Sequence, residues 1–238
     1  KQKRGKRSLH FDMPPVLTAW ASVAGKKESE GPLQGYFDYT NTDTYFGEKT
    51  WEKAECHMQQ IALETLLQKA GKKPRDVDLV FSGDLLNQCI SSSFALRNTG
   101  LPSLGLYGAC STMAESLLLA SMAVSGGFAD RAVAMTSSHF ASSERQYRYP
   151  LGYGGQRTPT AQWTVTGSGA ALVSGQGEGP RVEAATVGTI VDLGVTDANN
   201  MGAAMAPSAF ETIRAHFDDL GAAPEDFDLI VTGDLGKV

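Results

Sequence analysis

The chain has few of the residues from which covalently or metal-stapled scaffolds are built. Its 238 residues include 3 cysteines (Cys56, Cys89 and Cys110) and 4 histidines. An odd cysteine count without regular spacing argues against a disulfide framework and offers no zinc-ligand pattern, which fits a reducing, intracellular setting. Basic charge is not in excess. Against 26 Asp+Glu there are 21 Lys+Arg, a net charge of −5, so the chain as a whole is no nucleic-acid binder. Long apolar runs are missing too. The most apolar helical stretch, 117–124, is soon broken by Gly126 and Gly127, well short of the roughly 20 residues of a membrane span. Lys1, Lys3, Arg4, Lys6 and Arg7 crowd the start, but no apolar segment follows them as in a secretory signal. They read as a solvated tail or as a contact with an acidic membrane surface.

What is present is enough apolar residue for a sizeable core, 42% of the chain, and an internal repeat. Gly71-Lys-Lys-Pro74-Arg-Asp76-Val-Asp78-Leu79-Val-Phe-Ser-Gly83-Asp84-Leu85 aligns without a gap on Gly221-Ala-Ala-Pro224-Glu-Asp226-Phe-Asp228-Leu229-Ile-Val-Thr-Gly233-Asp234-Leu235, at a spacing of 150 residues. Each copy follows an amphipathic helix, with Ile61, Leu63, Leu66 and Leu67 on one apolar face and Phe210, Ile213 and Phe217 on the other. Each copy therefore reads as helix, Gly stop, Pro-Asp restart and buried strand, the strands being 78–82 and 228–232. Further strands are expected at 102–107, 132–136, 162–166, 170–174 and 181–187, a helix at 111–124, and a long loop at 142–161. Strands alternating with helices predict an α/β chain with a mixed sheet covered by helices. So long a period means two similar halves rather than a solenoid. The expected division is 1–190, a first half with its basic segment, and 191–238, the start of a second. Completing that second half to match the first would take on the order of a hundred more residues.

Cys110 follows a short apolar run, Leu104-Gly-Leu-Tyr-Gly108-Ala109, and precedes a strongly helical segment. At a helix start the first backbone N–H groups lack intrahelical partners. They and the helix dipole favour a thiolate, and the same amides can hold an anion. The alternative is a small, inert, buried cysteine on a tight turn.

A duplicated α/β chain with such a cysteine resembles the thiolase fold of thiolases and ketoacyl synthases. Gly108-Ala109-Cys110-Ser111 is similar to that superfamily's nucleophile turn, and Val165-Thr-Gly167-Ser-Gly169-Ala-Ala-Leu-Val173 to its Gly-x-Gly-Ala strand turn. Together, Gly83-Asp-Leu-Leu-Asn-Gln88, Gly108-Ala-Cys-Ser-Thr112, Thr136-Ser-Ser-His139, Glu144-Arg-Gln-Tyr-Arg-Tyr-Pro150 and Met201-Gly-Ala-Ala-Met-Ala-Pro207 resemble the stage V sporulation protein AD family. That resemblance implies a protein that binds dipicolinic acid, or its calcium complex. It would support uptake into the developing bacterial spore as the soluble component of a membrane channel assembly. It further implies a place in the forespore or spore, peripheral to the inner spore membrane, beside membrane-embedded sporulation channel proteins. Membership of the superfamily makes a homodimer the default.

Dipicolinate is a flat dianion, and a site for it needs convergent donors and a slot between apolar walls. Cys110, Ser111 and Thr112 at the helix start supply backbone donors. Asn87 and Gln88 are candidate amide donors. Arg145 and Arg148, interleaved with Tyr147 and Tyr149, suit bidentate carboxylate binding and ring stacking, or form an ordinary solvated loop. Asp84 is a candidate calcium or hydrogen-bond ligand. Its repeat mate Asp234 favours a strand-end turn former instead. Asp192 and Asp197 are too few for a calcium cage, so calcium is expected through the ligand's own carboxylates, with no metal site of the chain's own.

The rival reading is a ketoacyl-synthase-like acyltransferase with Cys110 as nucleophile. That chemistry needs an imidazole, or an imidazole and amide pair, besides the thiol. His10, His57 and His216 lie in the tail or on amphipathic helices, which leaves His139, at a strand end, as the candidate facing the Cys110 region, for catalysis or ligand binding; the alternative is a hydrogen-bonded structural histidine. The full catalytic set is therefore not assembled by this sequence, and binding is favoured over catalysis.

Overall fold

The computed structural model describes residues 2–85, 88–147 (for 144–147 the backbone only), 163–197 and 200–235. In chain order its elements begin with strands β1 (Lys3–Arg4), β2 (Ser8–His10) and β3 (Val16–Ala24), helix α1 (Lys26–Ser29), β4 (Tyr39–Thr40) and helix α2 (Trp51–Ala70). Then come β5 (Leu79–Asp84), α3 (Ile90–Leu96), β6 (Ser103–Leu106), α4 (Thr112–Ser125), β7 (Arg131–Ser138) and α5 (Phe140–Tyr147). The last are β8 (Gly167–Ser174), β9 (Ala184–Thr186) and α6 (Met201–Leu220). They form two compact units.

The larger unit, drawn from 15–147 and 163–181, is a six-stranded mixed sheet in the order β4-β3-β8-β7-β5-β6. β5 pairs in parallel with both β6 and β7, whereas β8 runs antiparallel to β7 and β3. Side chains alternate between the two faces of a strand, and each face receives a helix. Val80, Val133, Met135 and Leu172 join Met58, Ala62, Leu63 and Leu66 of α2 in one core. Phe81, Ala132, Ala134 and Val173 join Ala120, Ala123 and Val124 of α4 in the other. The α2 start is capped by Thr50, whose hydroxyl accepts the Lys53 N–H at 3.3 Å. Its end is turned by Gly71 at φ +61°, a left-handed conformation that glycine adopts without the Cβ penalty. Because β5, β6 and β7 are parallel, the turns that follow them leave the sheet at one edge.

The smaller unit comes from 2–14 and 182–235, where β1, β2 and β9 form an antiparallel sheet against which α6 packs. Asp219 of α6 accepts the Lys6 and Arg7 N–H groups at 3.2 and 3.0 Å and the Ser8 hydroxyl at 2.9 Å. These bonds, led by that from the Arg7 N–H, hold its carboxyl below the usual range. Strand pairing thus brings the basic N-terminal segment to β9 and α6, in one compact unit with the residues from 182 on.

The repeat is realised in local geometry. α2 and α6 each have 20 residues and each ends on a left-handed glycine, Gly71 or Gly221. A 3-10 turn follows each, in which the Lys73 or Ala223 N–H donates to Asp76 or Asp226 at 2.8 Å. The copies then diverge. β5 is flanked by β6 and β7, but 228–232 is not a strand, and Leu229, Ile230 and Val231 are exposed. Among the described residues no strand lies beside it to satisfy its amides and carbonyls, so this apolar β sequence joins no sheet. Of the remaining expected strands, 163–166 is not one, and 181–187 shortens to β9. The expected loop at 142–161 opens within α5, and the rest of it lies outside the described residues.

Candidate functional site

The parallel strands deliver three turns to one edge of the large sheet. Cys110 follows β6 in a single 3-10 turn, Ala109–Ser111, that leads into α4. Its side chain is exposed, so it is not the buried cysteine of the alternative reading. The turn is tight. Ala109 stands at φ +48°, and the Ser111 and Thr112 hydroxyls donate to the Gly108 and Ala109 carbonyls at 2.7 and 2.8 Å. These hydroxyls brace the turn, and Thr112 is fully buried. A Cβ on Gly108 would lie 2.3 Å from a Glu115 carboxylate oxygen. The head of α4 therefore already has an anionic side chain beside it, as helix starts favour.

β5 ends on the buried Asp84, whose carboxylate accepts the Cys89 N–H at 3.2 Å. Cys89 in turn donates from its thiol to the Leu106 carbonyl at 3.1 Å, which ties the turn after β5 to the strand before Cys110. Burial, with a smaller contribution from Asp84, pushes the Cys89 thiol up. Gln88 is exposed in that turn at φ +55°. Gly83 closes the link between the two strands. A Cβ there would stand 2.3 Å from the Leu106 carbonyl oxygen and 2.7 Å from Thr112 Cγ2. Asp84, Gln88, Thr112 and Cys110 thus share one end of the sheet. Asn87 and Arg148 lie outside the described residues, as does the side chain of Arg145.

His139 follows β7 at the same edge but is engaged elsewhere. Its Nδ1 accepts the Ala141 N–H at 3.1 Å, so the ring proton sits on Nε2 and donates to the Thr44 carbonyl at 2.8 Å. The ring is buried and stacked between Trp51 and Phe140, at centroid distances of 6.4 and 5.1 Å. Burial lowers its pKa, so it is held neutral. These partners lie on the α2 side of the sheet, whereas Cys110 heads the helix on the other side, and both ring nitrogens are occupied.

Sequence reasoning missed a buried polar cluster beneath this edge. Glu55 of α2 is 1% exposed. It accepts the Ser137 hydroxyl at 2.9 Å and the Ser142 hydroxyl at 3.2 Å. Gln59, one turn on, donates to the Gly83 carbonyl at 3.0 Å and to Ser137 Oγ at 2.6 Å. Loss of water around Glu55, opposed by the Ser137 hydrogen bond and assisted by Asp84, raises its carboxyl to about 7. The repeat carried the signal. At the same spacing of 150, Glu55 and Gln59 correspond to Met205 and Ala209, so both polar residues belong to the first copy alone.

The chain matches the Stage V sporulation protein AD (SpoVAD) family over residues 5–238. It belongs to that family. Stage V sporulation protein AD of Bacillus subtilis (strain 168) is 46% identical over 234 residues, which cover 98% of this chain and 69% of that relative. Among solved structures, a Xanthomonas campestris OleA with bound lauric acid and lauroyl-CoA superposes with a TM-score of 0.60 at 16% identity, covering 92% of this chain and 77% of that one. FabH, the 3-oxoacyl-(acyl carrier protein) synthase III of Xanthomonas oryzae pv. oryzae, gives 0.59 at 16%, with the same coverage of each chain. At such identity the likeness is one of fold, and the fold is thiolase-like, with a mixed sheet between flanking helices. In this SpoVAD family member no helix among the described residues is long and apolar enough to cross a membrane. Nor is there among them a group of three or more His, Cys, Asp or Glu able to hold a metal ion.

Proposed function

We propose that this protein binds dipicolinate as its calcium chelate and supports its uptake into the developing spore, as the peripheral component of a membrane channel assembly. Family membership, with 46% identity to the Bacillus subtilis relative, carries this reading. The choice of chelate over free acid comes from charge. Glu115 lies against the Cys110 turn, and Asp84 ends the adjoining strand. Two carboxylates repel a dianion but tolerate a neutral complex whose calcium retains open coordination positions. The exposed Cys110 side chain forms the floor of the site and Gln88 flanks it, whereas the expected donors Ser111 and Thr112 have their N–H groups bonded to the Gly108 and Ala109 carbonyls within the turn. Asn87, Arg145 and Arg148 are proposed as further ligand contacts. The membrane-embedded partners and a homodimer belong to the same proposal.

Isothermal titration of the protein with dipicolinate, with and without calcium, tests the reading. Heat is expected with the chelate and less with the free acid, and Cys110→Trp should abolish it by filling the floor. Absence of heat in both titrations of the folded protein refutes it. One observation favours a second reading, acyl transfer: the Cys110 thiol is exposed at the head of α4. That reading requires a mass increment on Cys110 with an acyl-thioester donor and rapid alkylation by iodoacetamide at neutral pH. A slow thiol without an adduct removes it.

A further inference from the structure

We propose that Glu55 is a proton-binding site that couples solution pH to the seating of α5 on α2, at the strand ends beneath the candidate site.

The argument begins with hydrogen-bond accounting. Ser142, in the first turn of α5, has one hydroxyl hydrogen and two acceptors in range, Glu55 Oε2 at 3.2 Å and the His139 carbonyl at 3.1 Å. With Glu55 ionised, that hydrogen is drawn to the carboxylate. With Glu55 protonated at Oε2, the carboxyl donates to Ser142 Oγ, and the Ser142 hydrogen serves the His139 carbonyl. Ser137 keeps its bond to Oε1 in both states. The neutral state therefore makes one bond more, and it leaves no buried charge.

The surrounding charges point the same way. From β5, Asp84 acts on Glu55 as a like charge, and so does Glu52 on its own helix. From the end of β7, His139 is neutral and bonded to Thr44 and Ala141. From α3, Arg97 acts on the Cys56 thiol. On α5, Glu144 and Arg145 have side chains outside the described ones. Among the described groups no cation is thus found to compensate an ionised Glu55, and its burial raises the carboxyl to about 7. Opening of α5 restores water to the carboxyl and returns it to the ordinary glutamate range. The opening equilibrium therefore grows about tenfold per pH unit from about 4.5 to about 7 and is level above that.

Two measurements on the whole chain test this. A carboxyl-carbon NMR titration, with the Glu55 signal assigned by its loss in Glu55→Gln, should give a midpoint near neutrality. Amide hydrogen exchange at Ala141 and Ser143, whose N–H groups are bonded to His139, corrected for intrinsic chemistry, should speed up at least about tenfold between pH 5 and 8 in the wild type. It should show no such slope in Glu55→Gln. A midpoint below pH 5.5, or an equal slope in the two proteins, overturns the proposal. If Glu55→Gln does not fold, the wild-type data decide. The Glu55 carboxyl signal is then assigned by its through-bond correlation to the Glu55 backbone, and a midpoint below pH 5.5, or flat exchange at Ala141 and Ser143, overturns the proposal too.

Discussion

Replacing Gly83 by alanine should destabilise the large unit, while the same change at its repeat mate Gly233 should not. The added Cβ at 83 would meet the Leu106 carbonyl oxygen at 2.3 Å and Thr112 Cγ2 at 2.7 Å. Leu106 is the residue paired with Gly83 across β5 and β6, so relief means parting two hydrogen-bonded strands by roughly 1 Å. Overpacking of this kind costs about 1–3 kcal/mol or somewhat more. The lower backbone entropy of an unfolded chain with alanine returns about 0.4–1 kcal/mol. A net loss of about 1–2 kcal/mol follows. With a urea m-value of about 2–3 kcal/mol/M, the midpoint of the large unit's transition, followed by tryptophan fluorescence, should fall by about 0.5 M. At Gly233 a Cβ meets nothing within 4 Å, so Gly233→Ala should stay within about 0.5 kcal/mol of wild type. Equal midpoints for the two variants would refute the claim that close approach of β5 and β6 sets the geometry of the Cys110 turn.

Two further outcomes rest on charge. Glu55 has a folded-state carboxyl raised from 4.5 to about 7. Folded protein thus binds more protons than unfolded between those values, and stability falls as pH rises across that window and is then level. Glu55→Gln should remove the fall, leaving the variant more stable than wild type at pH 8 by up to about 3 kcal/mol, read from urea midpoints at pH 5 and pH 8. Asp219 has the opposite sign. Its depressed carboxyl stabilises the folded state above the unfolded value and loses that effect as pH falls through the folded one. Asp219→Ala should therefore speed amide exchange at Arg7 and Ser8 at neutral pH, and the difference from wild type should shrink as pH falls through the depressed folded-state value. Unchanged exchange at pH 7 would separate that carboxylate from the order of the N-terminal hairpin.

The repeat shows where sequence reasoning reaches. Gly71 with Pro74 and Asp76, and Gly221 with Pro224 and Asp226, encode the same helix stop and 3-10 turn because those bonds close within a few residues. The identical reasoning fails at 228–232, since a strand exists only when another lies beside it. His139 was legible as a polar residue at a strand end. Which way it turned was not, because Thr44 and Trp51 reach it from a segment about 90 residues earlier in the chain.

The sequence alone determined the α/β class, the helix ends, the 150-residue duplication, the family and the place of Cys110 at a helix start, all of which are fixed by local chemistry or by pattern. Tertiary structure alone decided that Glu55 and Gln59 lie under the strand ends and that the N-terminal basic segment, through its pairing with β2, comes beside β9. Those outcomes depend on contacts between residues far apart in the chain. Burial, charge and hydrogen bonding act across such distances only once the chain has folded.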